Sequence, residues 1–246
     1  MERLAAALTF LLVVSVNFLA ASTELIGGVL TQEISEKYPT LITPRGYVFS
    51  IWLLIYLFLG LFVISVLRGG EVSSRVLRFF ILSNLLNVAW IFLWHYEQLL
   101  LSTLVNAALM IAVTLVYLEQ DRRLPALNLK GWVVNVFPFS LYLSWLMVAV
   151  VANVAVFLKS IGWDGFGISE EAWAALVLLV VTAISATAGL RQRDFTFPAV
   201  LAWAVWGIKY ERELALFALS LTTSRIISLV VLLVAVLLFL MRLAKR

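Results

Sequence analysis

The chain has 246 residues, of which 63% are hydrophobic and 13% charged, and its formal net charge is +4. This composition is far too apolar for a soluble domain and predicts an integral membrane protein. Cysteine is absent, which excludes disulfides, thiol catalysis and cysteine-ligated metal centres. The basic residues lie in short loops between apolar segments, where they set membrane topology, so the sequence predicts no nucleic-acid partner.

Eight apolar segments follow one another along the chain. A bilayer core of about 30 Å needs about 20 apolar residues per helix, so this length leaves room for seven or eight crossings. No alternating strand pattern is present, and the segments are therefore predicted to be α-helices. The seventh is the shortest and contains Pro198, which leaves seven crossings as the alternative to eight. The predicted spans are 4–22, 47–67, 76–94, 99–118, 132–158, 172–190, 195–208 and 226–243.

The distribution of positively charged residues supports eight membrane crossings rather than seven. With eight crossings, both termini and the second, fourth and sixth loops share one side of the membrane. Most lysines and arginines fall on that side, which predicts cytoplasmic termini and an inner or plasma membrane. The residues concerned are Arg3, Arg68, Arg75, Arg78, Arg122, Arg123, Lys130, Arg191, Arg193, Arg242, Lys245 and Arg246, against Lys37, Arg45, Lys159, Lys209, Arg212 and Arg225 on the other side.

The segment 23–46 is the longest connection between predicted spans. It is polar and rich in turn-forming residues, including Pro39 and Pro44. Two interpretations are open: the segment caps a cavity, or it is a solvated connector with one interfacial helical turn. No internal repeat, linker or low-complexity stretch divides the chain, so residues 1–246 are predicted to form a single membrane domain.

Two predicted spans carry one-sided stripes of polar and aromatic side chains. With Asn135, Pro138 and Ala149 included, the stripe of the fifth span falls within an arc of roughly 80° at 100° per residue. Because lipid is a poor environment for such a face, both stripes are expected to point into a helical bundle. They comprise Asn84, Asn87, Trp90 and Trp94 in the third span, and Tyr142, Trp145 and Asn153 in the fifth.

Three motifs occur in order within residues 1–160: PRGYVFSIWLLIYLFLG at 44–60, NVAW at 87–90 and YLSWLMVAVVAN at 142–153. They resemble successive signatures of the TspO/MBR family, the tryptophan-rich sensory or translocator proteins. The matching positions are Trp52 and Tyr56 in the second span, Asn87 and Trp90 in the third, and Tyr142, Trp145 and Asn153 in the fifth.

The resemblance implies an all-α fold with a TspO-like five-helix bundle over residues 1–160, followed by a three-helix extension over 161–246. It also implies that these seven residues line a cavity for a porphyrin or another flat hydrophobic molecule, as a ligand and not as a resident cofactor, in sensing or transport. Indole and phenol rings offer faces for stacking, while amides supply a few oriented hydrogen bonds. Relatives commonly pair, which implies a homodimer.

The chain also departs from the family pattern. Its first loop has only Tyr38-Pro39 and Thr43-Pro44 where the family typically places tryptophans beside prolines. Ile91 and Phe92 replace a Ser-Pro, and the proline expected beside Tyr142 is displaced to Pro138. Because the loop and its tryptophans help to line the family's cavity, these changes leave the identity of the ligand open.

Structural roles are the alternative to ligand binding for these polar and aromatic residues. An asparagine in a membrane helix often only bonds a neighbouring helix, a contact worth about 0.6 kcal/mol. Aromatic residues at span ends are ordinarily interfacial anchors, and His95 is expected to be a solvated loop residue rather than a metal ligand. The predicted anchors are Trp94, Tyr96, Trp132, Trp163 and Trp173.

No ionisable residue lies near the middle of a predicted full-length span, so ion coupling is not expected. The sequence shows no nucleophile with an adjacent base, so it does not predict an enzyme. The alternative function is a facilitator or permease-like transporter that uses all eight helices for a small uncharged or amphipathic solute. Porphyrin breakdown rests only on proposals made for the family.

Overall fold

The computed structural model describes residues 1–122, 128–209 and 213–244, and in these residues the chain forms ten α-helices. Short 3-10 turns at Gly46–Ser50 and Gly165–Gly167 lie between them. The predicted all-α membrane fold is confirmed. The helices are α1 Glu2–Ser22, α2 Thr31–Lys37, α3 Ile51–Leu67, α4 Ser74–His95, α5 Leu99–Arg122, α6 Leu129–Asn135, α7 Phe137–Ser160, α8 Glu170–Gln192, α9 Thr196–Gly207 and α10 Ala215–Ala244.

Seven segments of the described chain are helical, long and apolar enough to cross a membrane, close to the predicted count of about eight. They correspond to α1, α3 with the turn before it, α4, α5, α7, α8 and α10. The predicted span 195–208 is the exception, because its helix α9 has 12 residues and a length of about 18 Å.

Polar side chains before the helices fix where several of them begin. The hydroxyl of Ser73 accepts a hydrogen bond from Val76 N at the start of α4, and the hydroxyl of Ser169 accepts one from Ala172 N at the start of α8. Such caps satisfy backbone N–H groups that have no partner inside the helix.

The predicted span 132–158 is not one continuous helix. It divides at Val136 into α6 and α7. Pro138 explains the break, since its ring removes a backbone donor and clashes with the carbonyl four residues earlier in a continuous helix. In the first turn of α7 the same proline is tolerated, and Ser140 N resumes the helical bonding at Val136 O.

The chain divides into two compact units. The first unit comprises Met1–Tyr38 and Trp52–Phe157, and the second comprises Pro39–Ile51 and Leu158–Arg246. The segment 39–51 thus belongs with the last helices although it precedes α3. The single membrane domain, with a five-helix bundle over residues 1–160 and an extension over 161–246, stays a prediction from the sequence.

Four phenylalanines from four helices pack together in the first unit. Phe62 lies edge-on to Phe80 and Phe139, with ring centroids 5.4 and 4.8 Å apart. Phe80 also contacts Phe10 of α1 at 6.4 Å. These rings join α1 to α3, α4 and α7, and the last three helices carry all seven residues expected at the binding site.

In the second unit α8, α9 and α10 pack against one another. Glu171, in the first turn of α8, accepts hydrogen bonds from the backbone N–H groups of Leu216 and Phe217 at the start of α10. The two helices therefore begin side by side, and one carboxylate caps the N-terminus of α10.

Candidate functional site

Trp52 is the centre of an aromatic cluster in the first unit. Its ring stacks on Tyr56 of α3 and on Trp90 of α4, with centroid distances of 5.6 and 6.1 Å. Tyr142 and Trp145 of α7 meet the same ring edge-on at 5.7 and 6.3 Å. Three helices thus supply four rings around one indole that remains half-buried.

Asn87 connects three helices through its side-chain amide. Its Nδ2 donates to the hydroxyl of Tyr142 at 2.8 Å, and its Oδ1 accepts from Asn17 Nδ2 at 2.7 Å. Asn87 is fully buried, so both ends of the amide are satisfied away from solvent. This network fixes the Tyr142 ring that lies against Trp52.

Asn153 makes a second connection, one turn of α4 further along. Its Oδ1 accepts from Trp90 Nε1 at 3.0 Å and from the hydroxyl of Ser102 at 3.2 Å, and its Nδ2 donates to Ala149 O. The bond to Ser102 brings α5 into the site. Ser102 and Asn17 were missed by the sequence analysis, because a single small polar residue in an apolar span gives no motif.

These contacts join all seven residues expected at the binding site into one group, here called the aromatic–amide cluster. Asn84 is on the same stripe of α4 but bonds the hydroxyl of Thr9 at 3.2 Å, which is a contact between α1 and α4. The cluster comprises Trp52, Tyr56, Asn87, Trp90, Tyr142, Trp145 and Asn153, with Asn17 and Ser102 bonded to it.

The segment that contains α2 packs onto the aromatic end of α4. Ile34 of α2 is buried in the same hydrophobic cluster as Trp90 and Trp94, and Tyr38 packs against that cluster. Trp94 stacks on Trp90 at 6.1 Å and donates its indole N–H to Thr31 O at 3.0 Å. Residues 31–38 therefore cover this region through Ile34, while Gln32, Glu33, Glu36 and Lys37 stay exposed. Both interpretations, a cap and a connector with an interfacial helical turn, stay predictions.

Two of the expected interfacial anchors are buried. Trp94 and Trp132 expose only 3% and 4% of their surface. Trp94 lies at a helix end, as an anchor would, but another segment of the chain covers that end. Tyr96, two residues later, is exposed.

His95 is also buried, and the expectation of a solvated loop residue is wrong. It is the last residue of α4, and its Nδ1–H donates to Ile91 O at 2.8 Å. Its Nε2 lies 3.3 Å from the hydroxyl of Thr31. Gly27 touches the His95 carbonyl so closely that a side chain there would collide with it. In the described parts of the chain no group of three His, Asp or Glu residues is placed to hold a metal ion.

An ion pair holds the end of the covering segment. Lys37 Nζ donates to both carboxylate oxygens of Glu97 at 2.6 and 2.7 Å, and the Tyr38 hydroxyl donates to Glu97 Oε2 at 2.7 Å. Hydrogen bonds from Lys37 and Tyr38 lower the pKa of Glu97 below its ordinary value. Glu97 also bonds the phenol in its neutral form, which raises the pKa of Tyr38.

A comparison with protein families tests the family resemblance that the cluster residues indicate. The sequence model described as TSPO-like protein matches residues 3–243. The chain belongs to this family. The match includes the last three predicted spans, which had been expected to lie beyond the likeness, so both units of this TSPO-like protein share the family pattern. No curated protein and no solved structure matches the chain.

In the second unit of this TSPO-like protein, an arginine lies inside an apolar helix. The predicted span 226–243 begins one residue after it. Arg225 lies within α10, and its guanidinium donates to Val205 O at 3.1 Å and Ile208 O at 2.9 Å. Arg45 N donates to the intervening carbonyl, Gly207 O, at 3.0 Å. The last carbonyls of α9 are thus satisfied by other segments of the second unit.

Proposed function

We propose that the aromatic–amide cluster binds a flat hydrophobic molecule, such as a porphyrin, within the membrane, for sensing or transport. The observation that carries the proposal is that four family-matched rings converge on Trp52, which is only half-buried, while Asn87 and Asn153 bond two of those rings. An indole held between other rings presents a fixed face, and stacking on a fixed face costs the protein little conformational entropy.

The hydrogen bonds of the cluster support this role, because they hold the rings in place rather than only joining helices. Asn87 fixes the Tyr142 hydroxyl and Asn153 fixes the Trp90 indole. A ring that is already oriented loses less freedom when a ligand binds. The amides therefore act on ligand affinity through the aromatic side chains that they orient.

The test is a titration of the full-length protein in nanodiscs with protoporphyrin IX, followed by porphyrin absorbance and tryptophan fluorescence. We expect saturable binding that weakens about two- to tenfold in Trp52→Leu and less in Trp145→Phe, which keeps a ring, since an aromatic contact contributes about 0.5–1.5 kcal/mol beyond its buried area. Trp163→Leu is the matched control, because this half-buried tryptophan lies outside the cluster.

Absence of saturable binding of both protoporphyrin IX and its uncharged dimethyl ester by the unaltered protein would contradict the proposal. Equal affinity in Trp52→Leu, Trp145→Phe and the unaltered protein would place the ligand elsewhere in the molecule. A uniform loss in all three variants, the control included, would trace the effect to general instability.

We further propose that the protein lies in a cytoplasmic membrane with both termini inside the cell. The excess of basic residues on one side of the predicted topology supports this orientation. Of the residues on that side, Arg123, Lys245 and Arg246 lie outside the described residues, as does Arg212 on the other side. Since the chain has no cysteine, a single cysteine placed at either terminus and exposed to a membrane-impermeant maleimide tests it: labelling only after permeabilisation is expected. Pairing of two copies stays a prediction from the family resemblance.

A further inference from the structure

The aromatic–amide cluster contains no charged side chain. Its seven residues and the two residues bonded to them are aromatic, amide or hydroxyl groups. Asn87, Tyr142 and Trp145 are each at most 2% exposed. An ionised carboxylate moved into such surroundings loses its hydration without gaining a counter-charge, which is strongly unfavourable.

The cation of the covering segment is already engaged. Both carboxylate oxygens of Glu97 bond the Lys37 ammonium group at 2.6 and 2.7 Å. A ligand carboxylate that reached this edge of the first unit would compete with Glu97 for the same ammonium group. In the covering segment, the one ammonium group is therefore already paired with a carboxylate of the protein.

Tyr56 adds a polar atom that the protein itself does not satisfy. Its hydroxyl oxygen is buried beside the Asn87 amide and Tyr142, but no described group makes a hydrogen bond of ordinary geometry with it, while its ring stacks on Trp52 at 5.6 Å. Buried hydroxyls are nearly always hydrogen-bonded, so this one is available to a water molecule or a ligand. A single hydroxyl suits a neutral carbonyl oxygen, whereas a carboxylate offers about four acceptor sites.

We propose that the cluster binds an uncharged ligand, and that the Tyr56 hydroxyl donates a hydrogen bond to a neutral acceptor on it, such as an ester or ketone oxygen. This inference rests on the proposed function and specifies its ligand class. Ionised side groups of a flat molecule are excluded from the cluster, and their neutral derivatives are accepted.

The experiment compares protoporphyrin IX with its dimethyl ester, which has the same ring but no carboxylate. Both are titrated at pH 8 into nanodiscs of zwitterionic lipid, and the partition into empty nanodiscs is subtracted. We expect the ester to bind at least about tenfold more tightly to the unaltered protein, because the acid must leave its charges in water or bury them.

Tyr56→Phe then tests the hydroxyl separately. It retains the ring on Trp52, so we expect a loss of about fivefold in ester affinity, the usual net effect of one neutral hydrogen bond. Tyr117→Phe removes a hydroxyl from a buried tyrosine of α5 outside the cluster and is expected to leave the affinity unchanged.

The outcomes separate this inference from the proposed function. Tighter binding of the free acid, with Trp52→Leu still weakening it, overturns the neutral-ligand inference and leaves the site in place. Unchanged ester affinity in Tyr56→Phe overturns the role of the hydroxyl. If neither compound binds saturably, the proposed function and the inference both fail. The comparison of the two compounds needs no variant and so does not depend on how Tyr56→Phe folds.

Discussion

In the first unit the polar side chains of the aromatic–amide cluster bond one another across helices, whereas in the second unit Arg225 bonds the main chain at the end of another helix. Asn87, Tyr142 and Asn17 form a chain of amide and hydroxyl groups between helices. Arg225 instead donates to two carbonyls at the end of α9. Both arrangements satisfy polar groups inside an apolar protein. The first satisfies side-chain amides and hydroxyls, and the second satisfies backbone carbonyls.

The difference separates groups that can serve a ligand from groups that hold the backbone. The carbonyls that Arg225 satisfies belong to the end of a helix, and they need a donor whatever the protein binds. The amides of the first unit hold aromatic side chains, whose faces can contact another molecule. Substitutions in the second unit should therefore change mainly stability, and those in the first unit mainly binding.

The largest effect is expected for Arg225→Leu. This change leaves two carbonyls of α9 without their donor, and an unsatisfied buried group costs about 1–3 kcal/mol. Thermal unfolding in detergent should show a large loss of stability, with Arg225→Lys intermediate because one ammonium group cannot reproduce the planar fork. A stable Arg225→Leu protein would break the contrast between the units.

Gly207→Ala should be the next most damaging change. A Cβ at this position would overlap the side chain of Val48, which is completely buried. Overpacking of this kind costs about 1–3 kcal/mol, and Val48→Ala in the same chain should restore part of it. Gly60→Ala is the control, since its Cβ would meet Phe10 at 3.7 Å, an ordinary contact. Equal melting temperatures for both single variants would contradict the expectation.

Asn87→Leu should have a smaller effect on folding than on binding. It removes two interhelical hydrogen bonds, each worth about 0.6 kcal/mol on average in membrane proteins. Asn84→Leu removes one such bond, to Thr9, outside the cluster. Porphyrin titration of both variants should show weakened binding only in Asn87→Leu. Parallel losses of stability and affinity in the two would assign Asn87 to helix packing alone.

Glu97→Gln should have the smallest effect, confined to the covering segment. The pKa of Glu97 is lowered from its ordinary 4.5 by Lys37 and Tyr38. A lowered pKa in the folded state means that the contribution is complete above pH 4.5 and is lost as the pH falls through the lowered value. The protection of the backbone amides of residues 31–38 from hydrogen exchange, corrected for the intrinsic exchange rate at each pH, should therefore fall in acid. In Glu97→Gln this pH dependence should disappear, and its persistence would assign it to another group.

Much of this organisation could be predicted from the sequence. Long apolar segments between charged loops locate the spans, and the spacing of Asn87 and Trp90 with Tyr142, Trp145 and Asn153 identifies the faces that meet. The break at Val136 was missed because apolar character continues through Pro138. Hydropathy reports where a helix can lie in lipid, but not whether its hydrogen bonding is continuous.

Other features were missed because they depend on a segment distant in the chain. Trp94 and His95 lie at the end of a span, where solvent or headgroups are the ordinary neighbours, yet Thr31 bonds both. The predicted last span, 226–243, leaves Arg225 just outside it, whereas the structure includes Arg225 in α10. The carbonyls that make this position acceptable belong to α9, which no local pattern connects with α10.

The carboxylate of Glu171 has a consequence for how the chain travels through the second unit. Helix α8 leads away from Glu171 for 23 residues, about 34 Å, and α9 begins shortly after α8 ends. By Leu216 the backbone is again within hydrogen-bonding distance of Glu171. The chain has therefore returned over the whole length of α8, although α9 covers only about 18 Å of that path. Within the described residues this return contains no helix long enough to cross a membrane.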